Sequence, residues 1–117
     1  MNPPVWSHEQ LENTRAQEAK PYLEFLREPA ISAGLYTLPV GSTDLQQPHS
    51  EDEVYIVLEG QAQIRIGDQD YPVKTGDTIF VPAQKEHRFH SIVEELRVIV
   101  VFAPAEYSRA VSIGESA

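Results

Sequence analysis

The chain of 117 residues contains no cysteine. No disulfide can staple it, and any metal must be held by histidine, carboxylate or amide groups. Basic residues are scarce: nine Lys and Arg face eighteen Asp and Glu, for a formal charge of -9. Such a surface repels phosphates, so neither nucleic acid nor an anionic membrane is expected as a partner. The excess negative charge reads as a solubility device. Long apolar runs are missing too, and no charged start precedes a short apolar stretch of the secretory kind. The expectation is a soluble, cytoplasmic protein. Repeats, linkers and low-complexity segments are absent. The length suits one core that encloses one small ligand pocket.

What is present falls into three parts. Residues 1–20 form an N-terminal helical extension. Ser7 stands three residues before Gln10, the spacing of a capping box. "HEQLENTRAQEAK" favours helix but has almost no apolar face, so a short, mostly exposed helix is expected, stopped by Pro21. Residues 21–104 read as strands: "YLEFLRE", "ISAGLYTL", "EVYIVLE", "QAQIRI", "YPV", "TIFVP", "EHRFHSI" and "LRVIVVF". "GDQD" at 67–70 marks a hairpin turn, and Lys74 to Asp77 turns again. Short strands with turns between them and no helical period point to an all-β antiparallel sandwich or barrel. Residues 105–117 form a polar C-terminal tail.

Successive side chains alternate faces along a strand. Gln47, His49 and Glu53 share parity with Tyr55 and Val57, so an extended segment points all five the same way. Ser50, Glu51 and Asp52 are expected to loop out as a solvated turn. A second stretch, "GDTIFVPAQKEHRFH", sets His87 after a proline-bearing turn. Two imidazoles, one carboxylate and one amide then meet inside a barrel. Two histidines and one carboxylate suit first-row divalent ions: a facial triad for Fe(II), or a three-ligand site with water for zinc. Taken singly, each residue also has a bland reading. His49 reads as a loop histidine, Glu53 as a solvated strand start and His87 as a turn cap. His90 falls on the face opposite His87, and His8 sits on the exposed helix. Arg97, within an apolar strand, belongs at a pocket mouth or in an interface.

These two stretches together resemble the motifs of small single-domain cupins. The first cupin motif is G-x5-H-x-H-x3-E-x6-G. Gly41, Gln47, His49, Glu53 and Gly60 fall at its positions, with Gln47 in place of the first histidine. The second motif is G-x5-P-x-G-x2-H-x3-N. Gly76, Pro82 and His87 match it, while Gln84 replaces the glycine and Ser91 the asparagine. The resemblance covers about residues 31–104. It implies a double-stranded antiparallel β-barrel of the cupin/jelly-roll type. It also implies a central divalent metal, Fe, Zn, Mn or Ni, held by Gln47, His49, Glu53 and His87. An amide is a weaker donor than imidazole, so the Gln47 substitution lowers the expected affinity.

The fold alone leaves function open. The first reading is a metal-dependent enzyme, of oxygenase or isomerase/lyase type, acting on a small polar molecule. Tyr55, on the face of Glu53, and Tyr36 are then the candidate catalytic residues. The alternative is a non-catalytic barrel that binds or senses a metal or small ligand. A structural module with a vestigial site is the third. A homodimer is expected, because "LRVIVVF" and "VYIVL" are apolar on both strand faces; the competing monomer reading has the segment from Tyr22 to Leu26 cover part of them.

Overall fold

A computed structural model describes residues 4–44 and 48–107. Gln47 therefore lies outside the described residues. The element order is α1 (His8–Glu18), β1 (Tyr22–Glu28), β2 (Ile31–Leu38), β3 (Asp52–Ile66), β4 (Gln69–Lys74), β5 (Thr78–Val81) and β6 (His87–Ala103). Ser7 caps α1 in a full capping box with Gln10. The helix ends before Pro21, at Ala19, which adopts the left-handed conformation. Only Leu11 is buried, so the helix is as exposed as its sequence predicts.

All strand pairings are antiparallel, in the order β1-β2-β6-β3-β4, with β5 also on β3. β4 borders Gln61 to Ile66 of β3, and β5 borders Glu53 to Ile56. Among the described residues the ladder does not close on itself. It is the rolled sheet of an all-β jelly roll.

Two pairs of expected strands are single strands here. β3 absorbs "EVYIVLE" and "QAQIRI", and β6 absorbs "EHRFHSI" and "LRVIVVF". Bulges explain why the sequence reads as broken. Glu53, Tyr55 and Val57 are buried, but beyond Gly60 the buried positions become Ala62 and Ile64. The inward face changes parity where the β3–β6 register shifts. Gly60 sits there with φ 111°, and a side chain on it would strike the backbone of Glu95 and Leu96. On β6 the switch falls between Phe89 and Ile92, around Ser91. From Gln61↔Glu94 to Gln63↔His90, β6 advances four residues while β3 advances two. These bulges fold the sheet over its own inner face, where Tyr55, Ile64, Phe89, Leu96, Val98 and Phe102 form much of the core.

Candidate metal centre

β3 delivers Glu53 and Tyr55 to the interior as neighbours on one face. Glu53 pairs with Val81 on one side and Phe102 on the other, so its carboxylate lies mid-sheet rather than at an edge. His87 opens β6 and is turned inward. Its Nε2 lies 2.8 Å from Glu53 Oε1 and 3.0 Å from the Tyr55 hydroxyl. Its Nδ1 lies 2.9 Å from the Lys85 carbonyl, an obligatory acceptor, and so donates there. Burial by itself would depress the His87 pKa. The hydrogen bond and charge of Glu53 outweigh burial and hold it above its ordinary value.

His49 comes from the segment ahead of β3, which the second motif fastens. Gln84 N–H donates to the His49 carbonyl (2.7 Å), and Ala83 N–H to Asp52 Oδ1 (2.8 Å). The His49 ring stands 6.1 Å from the His87 ring and edge-on to Phe102 at 4.8 Å. Burial lowers its pKa, favouring the neutral ligand form. Its Nε2 and the Oε2 of Glu53 are buried with no hydrogen-bond partner.

Such orphaned acceptors are costly unless something cationic or protic completes them. The donor set, two imidazoles and a carboxylate, fits a divalent ion. In the arrangement described, no three His, Asp or Glu side chains among the described residues already surround one ion position. His87 Nε2 is engaged with Glu53 and Tyr55 instead.

Other expectations fare differently. Tyr36 is buried, but its hydroxyl donates to Asp44 Oδ1 (2.8 Å), whose Oδ2 accepts from Phe89 N–H (2.9 Å). Glu51, expected in a solvated turn, is 1% exposed. It accepts from the Ser50 hydroxyl and from Tyr107 N–H. Its parity with His49 and Glu53 was the available signal. His90 lies at the surface against Asp70 (2.8 Å). Arg97 binds Glu59, Glu95 and Glu12. Sequence reasoning missed Tyr22 and Glu106. The Tyr22 hydroxyl is buried without a partner, and its ring occupies the space a Gly34 side chain would fill. Glu106 Oε2 lies 3.5 Å from His49 Nδ1. Burial first, then the charges of Glu24, Glu53 and Glu51, raises the Glu106 pKa to about 7. No local sequence pattern marks either residue.

A sequence model of the cupin domain matches residues 34–102. The chain belongs to the cupin family. An uncharacterised protein of Streptomyces coelicolor is 49% identical over 84% of this cupin and 93% of its own length. An uncharacterised protein of Methanocaldococcus jannaschii is 36% identical over 47% of this chain and 45% of its own length. A Thermus thermophilus protein of known structure covers 86% of this cupin and 97% of itself, with 21% identity and a TM-score of 0.69. An RmlC-like cupin of Methanocaldococcus jannaschii with a double-stranded β-helix fold covers 71% of this chain and 78% of itself. Its identity is 20% and its TM-score 0.66. The cupin fold is one that commonly holds small ligands or metals. No helix among the described residues is long and apolar enough to cross a membrane.

Proposed function

We propose that His49 Nε2, the Glu53 carboxylate and His87 Nε2 hold one divalent ion, and that the site serves an enzyme acting on a small polar molecule. The observation that carries this reading is the pair of buried, unpartnered acceptors, His49 Nε2 and Glu53 Oε2, with a third ligand, His87, 2.8 Å from the Glu53 carboxylate. Three protein ligands leave positions open to a substrate. Fe, Zn, Mn and Ni all accept this donor set. When bound, such an ion polarises a carbonyl as a Lewis acid or, as iron, activates dioxygen. As a ligand, His87 Nε2 would exchange its present contact with Glu53 Oε1 for the ion. The Tyr55 hydroxyl, 3.0 Å from His87 Nε2, is placed beside these ligands to hydrogen-bond a bound molecule. Gln47, at the vacant histidine position of the first motif, is proposed as a weak fourth donor. Tyr36 is the less supported catalytic candidate, since its proton is directed to Asp44.

A second reading, a non-catalytic metal or ligand barrel, draws support from burial. The side chains of His87 and Glu53 are 0% and 1% exposed. Two clefts of about 400 and 460 Å³ share Pro72, Val73 and Asp77, and neither is lined by His49, Glu53 or His87. Oxygen uptake by the Fe(II)-loaded protein, screened against small thiols, diketones and phenols, separates the readings. Turnover supports the enzyme, and stoichiometric metal without turnover supports the binding barrel.

A homodimer completes the proposal. Val54 and Val101, and Ile56 and Ile99, pair across β3 and β6 on the outer face. Ile56 is 38% exposed, and Phe80, paired with Val54, is 59% exposed. The helix packs against β1 and β2 instead. A second copy is the cover proposed for the remaining stripe.

A further inference from the structure

Pro104 to Tyr107 lie beyond β6 and beyond the segment the cupin family matches. They are tethered residue by residue. Ala105 N–H donates to the Pro29 carbonyl (3.4 Å), and Glu106 N–H donates to Ser32 Oγ (2.8 Å). Arg27 Nη2 donates to the Glu106 carbonyl (2.9 Å), and Tyr107 N–H to Glu51 Oε1 (3.1 Å). Ala105 and Glu106 are buried. This strap carries one carboxylate inside the fold, where burying it is expensive unless it has a task.

Glu106 Oε2 stands 3.5 Å from His49 Nδ1, while His49 Nε2 is buried without a partner. Phe102 and Tyr107 flank the ring at 4.8 and 5.9 Å. A neutral imidazole has one N–H proton, and an acceptor beside one nitrogen draws the proton to it. The lone pair then resides on the other nitrogen. Lys85 O does the same for His87. A metal-ligating histidine characteristically gives its second N–H to such an oxygen.

We infer that Glu106 is a positioning residue for His49, holding the ring proton on Nδ1 so that the Nε2 lone pair is presented to a divalent ion. The inference rests on the metal centre proposed above, but its first consequence belongs to the metal-free protein. Glu106 faces the nitrogen remote from the orphaned one, which separates this role from that of a fourth ligand.

Ring-nitrogen NMR of metal-free, histidine-labelled protein, at alkaline pH where the imidazole is neutral, tests the inference. Wild-type His49 is expected in the Nδ1–H form. Glu106→Leu keeps volume but removes the acceptor, and shifts His49 toward the Nε2–H form. It also weakens Zn(II) binding, read by chelator competition, about 10–100-fold. Glu106→Gln keeps an acceptor oxygen, so it retains the Nδ1–H form and loses less affinity than the Leu variant. A wild-type His49 in the Nε2–H form overturns the inference, and this spectrum decides even where the Leu variant fails to fold. An unchanged tautomer and affinity in a folded Leu variant overturn it as well. A wild type that binds no zinc yet shows the Nδ1–H form overturns the metal centre and supports the Glu106–His49 pairing.

Discussion

Tyr22 and Tyr36 place two buried phenols beside acidic groups. Burial first, then the charge of Glu106 for Tyr22 and of Asp44 for Tyr36, raises both pKa values above the ordinary phenol value. A group whose pKa is raised on folding contributes stability that is full below its unfolded pKa, about 10, and is lost as pH rises beyond it. The urea midpoint is therefore expected to fall steadily from about pH 9.5 upward. Tyr36→Phe should flatten that fall while costing about 1–2 kcal/mol near neutrality, through loss of the hydrogen bond to Asp44. A midpoint indifferent to alkaline pH would contradict this account. Gly34→Ala makes a second test, because a side chain there meets the Tyr22 ring. Displacing that ring should cost about 1–3 kcal/mol in denaturant unfolding. At this scale the sequence was legible where spacing governs. Parity and motif distance located Glu53, Tyr55 and His87 together. Tyr22 and Glu106 were illegible because each reaches the site from outside the motifs, Tyr22 across a side-chain-less Gly34 and Glu106 through a tethered strap.

At the scale of elements, β1 and β2 were bounded correctly from the sequence, since Pro, Gly and polar residues flank them. β3 and β6 were split because their inward faces change parity at bulges, and alternation breaks there although pairing continues. The departures from the second motif have a backbone reading too. Gln84 and Ser91, at the glycine and asparagine positions, have φ of 67° and 51°. Those two residue types enter the left-handed region most readily, so the motif records backbone shape as well as chemistry. An ion pair from Arg97 to Glu12, a hydrogen bond from Thr37 to Glu12 and the buried Leu11 tie the helix to the sheet. Arg97 gathers Glu59 at 2.6 Å, Glu95 at 2.7 Å and Glu12 at 3.5 Å, and Arg15 binds Glu12 at 2.7 Å. Arg97→Ala leaves these carboxylates without their shared cation and should cost about 1–2 kcal/mol. The sharper readout is proteolysis, since cleavage within α1 should accelerate while the barrel core stays protected. Equal protection of α1 in the variant would show that apolar contacts, not Arg97, dock the helix.

For the whole molecule, a hydrophobic outer stripe and a proposed central ion site lie on opposite faces of β3. The charge of -9 opposes association, so a dimer must be held by the apolar row of Val54, Ile56, Ile99 and Val101 and should survive high salt. Light scattering near twice 13.1 kDa is expected, and Ile56→Lys should return the mass to 13.1 kDa. A single-chain mass for the wild type would contradict the dimer. The cupin fold was legible because two motifs stand in the right order and spacing. The proposed dimer rests, in the sequence, only on an excess of apolar residues with no designated partner. The central claim is the ion held by His49, Glu53 and His87. Native mass spectrometry of protein loaded with zinc and then desalted tests it most directly, in wild type and in His87→Ala. The account predicts one ion per wild-type chain and a sharp loss in the variant, because two remaining ligands hold a divalent ion poorly against water. Full occupancy in folded His87→Ala would contradict it.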